Sequence, residues 1–273
     1  MSEGIFMVTA REILLTLSFK YKGDWMKIYE AIKKKEPIKD EEKKEAIDKT
    51  KANFVTLVDP DYPEFLKTIS QPPFLFYYYG DKSLLLEKYR LTVVGTRHPS
   101  LYQTEKVYSL ITEAEKRLNN KIVVVSGMAI GVDASGMRAA LACGGKYIGI
   151  LGSGIDNPYP TTNEDLYKLA KQGKGLIISE YPLAEEAKPQ NFLFRNRLLA
   201  AFSDVLMVGG GKNKSGTSVS IKYALDFNKE VLALPCNVTG DDLTNSLIQD
   251  GARSVLGVDD IISALKEKAD LSR

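Results

Sequence analysis

The sequence holds only two cysteines, Cys143 and Cys236, and one histidine, His98. The cysteines lack metal-ligand spacing, so no metal site is expected, and a reduced, cytoplasmic protein fits this usage. No apolar run approaches the length of a membrane span, and nothing near Met1 joins a basic stretch to an apolar run and a small-residue cleavage site. Charge of one sign is also missing: 37 Lys and Arg against 35 Asp and Glu leave a net charge of +2. That balance is short of a dedicated basic nucleic-acid module, so any polyanion site must be a local patch. Apolar residues, by contrast, make up 44% of the 273 residues, enough to bury a real core.

Organisation follows from apolar spacing. Residues 1–53 are expected to form a small helical appendage, with Ile13, Leu14 and Leu17, then Trp25, Ile28, Tyr29 and Ile32, at helical intervals. The mixed-charge stretch Lys33 to Lys51 carries both signs at short spacing and reads as a solvated helix face. Residues 54–90 form a lead-in, in which Phe54 to Val58 and Pro72 to Gly80 are extended segments separated by proline turns. Tyr77, Tyr78 and Tyr79 are read there as strand packing in preference to base stacking.

From residue 91 to 273 the pattern is regular. Short Val, Ile and Leu runs at Leu91–Val94, Ile122–Val125, Tyr147–Leu151, Gly175–Ser179, Asp204–Val208 and Glu230–Leu234 alternate with longer amphipathic stretches. Runs apolar on both faces suit a buried parallel sheet with crossover helices. The expected fold class is α/β, an extended Rossmann-like, doubly wound and mostly parallel sheet.

In such a sheet ligands bind beyond the carboxyl ends of the strands. The residues there are alike: Gly95-Thr96-Arg97, Ser126-Gly127, Gly152-Ser153-Gly154, and Gly209-Gly210-Gly211 running to Ser215-Gly216-Thr217. Glycine lets backbone approach a ligand, hydroxyls offer hydrogen bonds, and helix N-termini favour anions. One such loop serves only its turn; four on one edge point to a phosphate cleft. Neither the Gly-x-x-x-x-Gly-Lys-Ser/Thr phosphate loop nor the Gly-x-Gly-x-x-Gly fingerprint occurs, against an ATPase or a nicotinamide dehydrogenase.

Cations complete the pattern. Arg97 follows the first strand directly, and Lys188, Arg195 and Arg197 flank Phe192, with Asn196 between the two arginines. Arginine forks match phosphate oxygens, and an aromatic between cations stacks on an unpaired base. The other reading of Arg195 and Arg197 pairs them with acids such as Glu180 or Asp133, with Phe192 and Phe194 joining the core.

From about Asp59 onward the sequence resembles the DNA-processing protein A (DprA or Smf) family. The segments that carry the resemblance are Val94-Gly95-Thr96-Arg97, Ser126 to Asp133, Tyr159-Pro160, Ser179 to Pro182, Arg195-Asn196-Arg197 and Asn245 to Ala252. The resemblance implies an extended Rossmann fold that binds single-stranded DNA, forms homodimers and helps load the RecA recombinase during natural transformation, with no catalytic residues and no cofactor. It assigns the DNA pocket to Gly95, Thr96, Arg97, Ser126, Gly127, Lys188, Phe192, Arg195 and Arg197, with Asn196 in support. The sequence departs from the family at Met137, where a histidine is usual, near Gly209 and Gly210, where an acid is usual, and at Pro235-Cys236, usually proline-glycine.

Two other functions use the same cleft. A nucleotide phosphoribohydrolase-like enzyme is suggested by Gly209 to Thr217, yet Ser218 to Ser220 supply no carboxylate, and Asp226 lies too far along the helix for acid–base work in its first turn. A small-nucleotide sensor with a protein output is the third reading.

Overall fold

A computed structural model describes residues 2–238 and 242–271. Three helices lead, α1 (Ser2–Lys20), α2 (Trp25–Lys33) and α3 (Asp40–Lys49), followed by β1 (Asn53–Thr56), the short α4 (Glu64–Lys67) and β2 (Leu75–Gly80). Strand and helix then alternate: β3 (Tyr89–Val94), α5 (Leu101–Arg117), β4 (Ile122–Ser126), α6 (Val132–Ala142), β5 (Lys146–Ile150), α7 (Glu164–Leu169), β6 (Leu176–Ser179) and α8 (Pro189–Ala201). The order closes with β7 (Val205–Val208), α9 (Gly216–Asp226), β8 (Glu230–Ala233), α10 (Leu243–Gln249), β9 (Arg253–Ser254) and α11 (Val258–Leu271).

The strands form one sheet in the order β1-β2-β6-β5-β4-β3-β7-β8-β9. From β6 to β9 all neighbours are parallel, while β2 runs antiparallel to β6 and β1 antiparallel to β2. This is the mostly parallel, doubly wound sheet that the apolar runs predict, with the lead-in segments extending one edge. The chain steps outward from β3 to β6, then returns to place β7 on the other side of β3. Strand order therefore reverses beside β3, which puts a crevice at the carboxyl ends of these strands.

Side-chain alternation divides the core into two layers. Leu91 and Val93, Ile122 and Val124, and Val205 and Met207 pack with residues of α5, α6, α7 and α11. Val94, Val123 and Val125, and Leu206 and Val208 face the other way, onto α8, α9 and α10. Both faces are dry, which explains why these strands read as unbroken apolar runs.

The leading helices seat on the antiparallel edge. Leu14 and Leu15 join the first layer, and Leu17, Ile28 and Ala31 make a small cluster of their own. Trp25 stacks between Tyr29 and Phe74 and donates from Nε1 to the Pro72 carbonyl at 2.7 Å. Helix α3 is solvated as its charge pattern predicts, with Lys43 on Asp40 at 2.9 Å and Lys49 on Glu45 at 2.5 Å. Tyr77 is buried and donates to the Ser18 hydroxyl at 3.0 Å, while Tyr79 donates to Asp156 at 2.7 Å, so this pair of the triplet serves packing. Among the described residues no helix is long and apolar enough to cross a membrane.

Candidate nucleic-acid interface

The loop after β3 is built against the loop after β4. A side chain at Gly95 would meet Val132 at 2.8 Å, and Gly131, with φ of +81°, sits so close that a Cβ there would lie 2.4 Å from the Thr96 carbonyl. The Val132 amide donates to that same carbonyl at 3.2 Å. Thr96 accepts from the His98 amide at 3.1 Å, which closes the turn and leaves Arg97 exposed at its tip.

The loop after β4 is held from beneath by Arg195. Its Nη1 donates to the Gly127 carbonyl at 3.0 Å and to the Ile150 carbonyl, so one side chain of α8 ties the ends of β4 and β5 together. Asp133 accepts from the amides of Gly127 at 3.0 Å and Ala129 at 3.4 Å. Burial pushes the Asp133 carboxyl above its ordinary range, while the neighbouring Arg195 charge and these amides pull it down. Burial in turn brings the Arg195 guanidinium down to about 10, against the attraction of Asp133, and the nearby Arg97 adds to the lowering. Asn163, also buried, donates to the carbonyls of Met128 at 2.9 Å and Ala129 at 3.1 Å.

Above this frame lies a pocket of about 60 Å³ lined by Arg97, Gly127, Ala129, Ile130, Tyr159, Pro160, Phe192 and Arg195. Tyr159 and Phe192 face each other with centroids 5.7 Å apart and planes tilted by 51°, and the Arg195 guanidinium carbon lies 5.9 Å from the Phe192 centroid. Phe192 rests on Gly152, where a Cβ would come within 2.6 Å of its ring. The pocket thus joins an exposed cation, a buried cation and two aromatic rings at the carboxyl ends of the parallel strands, a combination suited to a phosphate with an unpaired base attached.

Of the residues singled out from sequence, Arg97, Gly127, Phe192 and Arg195 meet at this pocket, and Gly95 and Thr96 shape its wall. Four others take different roles. Ser126 is fully buried and its hydroxyl donates to the Val93 carbonyl at 2.7 Å, a link between strands and not a ligand contact. Arg197 is 1% exposed; it spans both Glu180 oxygens at 2.6 Å, donates to the Gln71 and Phe194 carbonyls and lies 3.8 Å over the Phe194 ring. The acid-pairing reading is the one the geometry meets for Arg197, because a buried guanidinium needs a partner. Asn196 donates to the Gly216 carbonyl at 3.0 Å and joins α8 to the start of α9. Lys188 pairs with Glu185 at the mouth of α8.

Ser215, Gly216 and Thr217 begin α9 after β7, with Ser215 and Ser218 closing a capping box. They are not among the residues lining the Arg97 pocket. The glycines before them serve packing: a side chain at Gly209 would strike Val107 and Val132, and one at Gly210 would strike Gln103. Asn163 is a contributor that the sequence reading leaves out, while Tyr159 enters it only as part of a family segment and Asp133 only as an acid that could pair with an arginine. The signal for Tyr159 was its place, just before Pro160 and beyond the end of β5. Among the described residues no group of three or more His, Cys, Asp or Glu side chains could hold a metal ion.

The family model for DNA recombination-mediator protein A matches residues 53–266, which includes the whole of this pocket. The chain belongs to that family. It is 33% identical over 223 residues to the DNA processing protein DprA of Bacillus subtilis, covering 79% of this chain and 72% of that one. With Protein Smf of Synechocystis it shares 32% identity over 217 residues, 78% of this chain and 54% of the relative, so it spans little more than half of that protein. Among solved structures, DprA of Streptococcus pneumoniae superposes with a TM-score of 0.76 at 29% identity, covering 87% of this chain and 81% of the other. DprA of Helicobacter pylori, solved to show its single-stranded DNA binding mode, gives a TM-score of 0.70 at 32% identity, covering 80% and 99%. The family match begins at residue 53, so α1 to α3 lie outside it.

Proposed function

We propose that this DprA-type chain binds single-stranded DNA in the Arg97 pocket and acts in DNA processing without catalysing a reaction. On this reading it works as a cytoplasmic homodimer that protects incoming single strands and helps load the RecA recombinase for recombination in natural transformation. Residues 91–273 form the binding unit, 54–90 its lead-in and 1–53 an appended helical region. The observation that carries the proposal is the meeting of Arg97 and Arg195 with the Tyr159 and Phe192 rings at the strand ends. The solved DNA-binding mode of the Helicobacter pylori relative supports it.

Arg97 holds phosphate, the rings stack on bases, and Arg195 supplies buried positive charge while fixing the loop. Such binding depends little on sequence and falls steeply with salt. An enzymatic reading has weaker support, because Asp133 already accepts two backbone amides and sits beside the Arg195 charge. The test is fluorescence anisotropy with labelled single-stranded DNA, duplex DNA and a mononucleotide at two salt concentrations. Tight, salt-sensitive preference for the single strand is expected. Binding of the mononucleotide alone would point to a nucleotide sensor, and release of free base from it to a phosphoribohydrolase.

A further inference from the structure

A second groove opens on the adjacent face of α8. It has a volume of about 320 Å³ and lies between the turn joining α1 to α2 and the first turns of α8. Lys22, Trp25 and Lys27 line it from the appendage, and Lys188, Asn191 and Phe194 from α8. The two sites share one helix: Phe192 and Arg195, three residues apart, face the pocket, while Asn191 and Phe194, also three apart, face the groove. Neighbouring residues on a helix point about 100° apart, so the two sites lie on adjacent faces of α8, within a span that a few nucleotides bridge.

The turn is fixed in place. Gly23, with φ of +72°, is seated so tightly that a Cβ there would lie 2.7 Å from the Glu180 carbonyl and 2.9 Å from the Tyr181 ring. At the mouth of the groove the Glu185 carboxylate pairs with Lys188 from the main domain and with Lys22 from the appendage, the latter at 3.8 Å. An oxyanion thus stands between ammonium groups from two separate segments. The backbone beneath it is also fixed, with the Glu185 carbonyl accepting from Gly154 at 2.8 Å.

We infer that this groove carries a single strand of DNA onward from the Arg97 pocket, and that a phosphodiester takes the place of the Glu185 carboxylate between Lys22 and Lys188. The inference rests on the single-strand reading of that pocket and extends it to the helical appendage, which lies outside the family match. Three lysines against the two carboxylates Asp24 and Glu185 leave the lining net positive, and this with the continuity to the pocket along α8 favours a polyanionic strand over a peptide. Lys27 adds a second phosphate position further along the turn, beside Asp24 at 3.3 Å. Glu185 is then a competitor for the strand, so removing its charge should help binding.

The experiment compares oligothymidylates of about 4 and about 15 nucleotides, one short enough for the pocket alone and one long enough to cross both sites. The double variant Lys22→Glu/Lys27→Glu is expected to weaken the longer oligomer by about tenfold, to lower its salt slope by about 1.4 for two lost phosphate contacts, and to leave the shorter within about twofold. Glu185→Gln should strengthen the longer oligomer and not the shorter. Both lysines are exposed, at 70% and 65%, so the charge changes leave folding intact, as thermal melts will check. Equal effects on both lengths, or none on either, overturn the groove while an Arg97-sensitive short oligomer keeps the pocket. Failure of the parent to bind either length overturns both.

Discussion

Arg197 and Glu180 join α8 to the end of β6 through two parallel hydrogen bonds of 2.6 Å, inside a region closed to water. The pair lies on the opposite side of the helix from the Arg97 pocket. Removing one partner strands a buried charge, so Arg197→Ala should cost about 3–5 kcal/mol of stability. Chemical denaturation measures this directly. Retained stability in the variant would show that the pair is not what anchors the helix.

Arg97→Ala should do the reverse. Its side chain is exposed, so stability is expected to stay within about 0.5 kcal/mol. Affinity for single strands of different sequence should fall alike, with a salt slope smaller by about 0.7, the loss of one phosphate contact. Parallel salt titrations of parent and variant give both quantities.

The aromatic pair makes a contribution of another kind. Phe192→Ala and Tyr159→Ala should each cost about 1–3 kcal/mol of binding, the scale of one base stacked on a ring, while the salt slope stays unchanged. Gly152→Ala tests the position of Phe192 without touching the ligand. Its new Cβ would meet the ring at 2.6 Å and displace it, so the same loss is expected from a residue beneath the pocket.

Glu115 gives a pH signature unrelated to the pocket. It is fully buried on α5, and neither carboxyl oxygen has a well-formed hydrogen bond among the described residues. Burial pushes its pKa from the usual 4.5 up to about 8, with the Ile122 amide acting the other way. Between these values the folded state binds the proton that the unfolded state has lost. The stability contribution of Glu115 is therefore most favourable below about pH 4.5, declines as pH rises towards 8, and is by then lower by on the order of 4 kcal/mol. Glu115→Gln keeps the shape and should flatten the profile, which urea titrations from pH 5 to 8 would reveal.

The six buried parallel strands were legible because sequence runs apolar on both faces have few other uses in a domain of this size. β9 was not, since two residues, Arg253 and Ser254, carry no periodicity. The glycine turn at Gly95 was legible as part of the site. The run at Gly209 to Gly211 looked equivalent, but its lost side chains make room for Val107, Val132 and Gln103, contacts distant in sequence that no local motif announces. Arg195 and Arg197 belong to one cationic segment in the sequence, yet residues two apart on a helix point about 200° away from each other. That spacing alone separates one arginine at the pocket from one in the core. Tyr159 comes from beyond β5 and reaches Phe192 only through the fold.

Gly131 gives the pocket a kinetic character. With the β3 and β4 loops locked together at that residue and Arg195 bridging two strand ends, the walls stand in place before any ligand arrives. An anion entering this pocket has little backbone to order, so its arrival is governed by diffusion and the field of Arg97. Differences among ligands should then appear in how long each one stays.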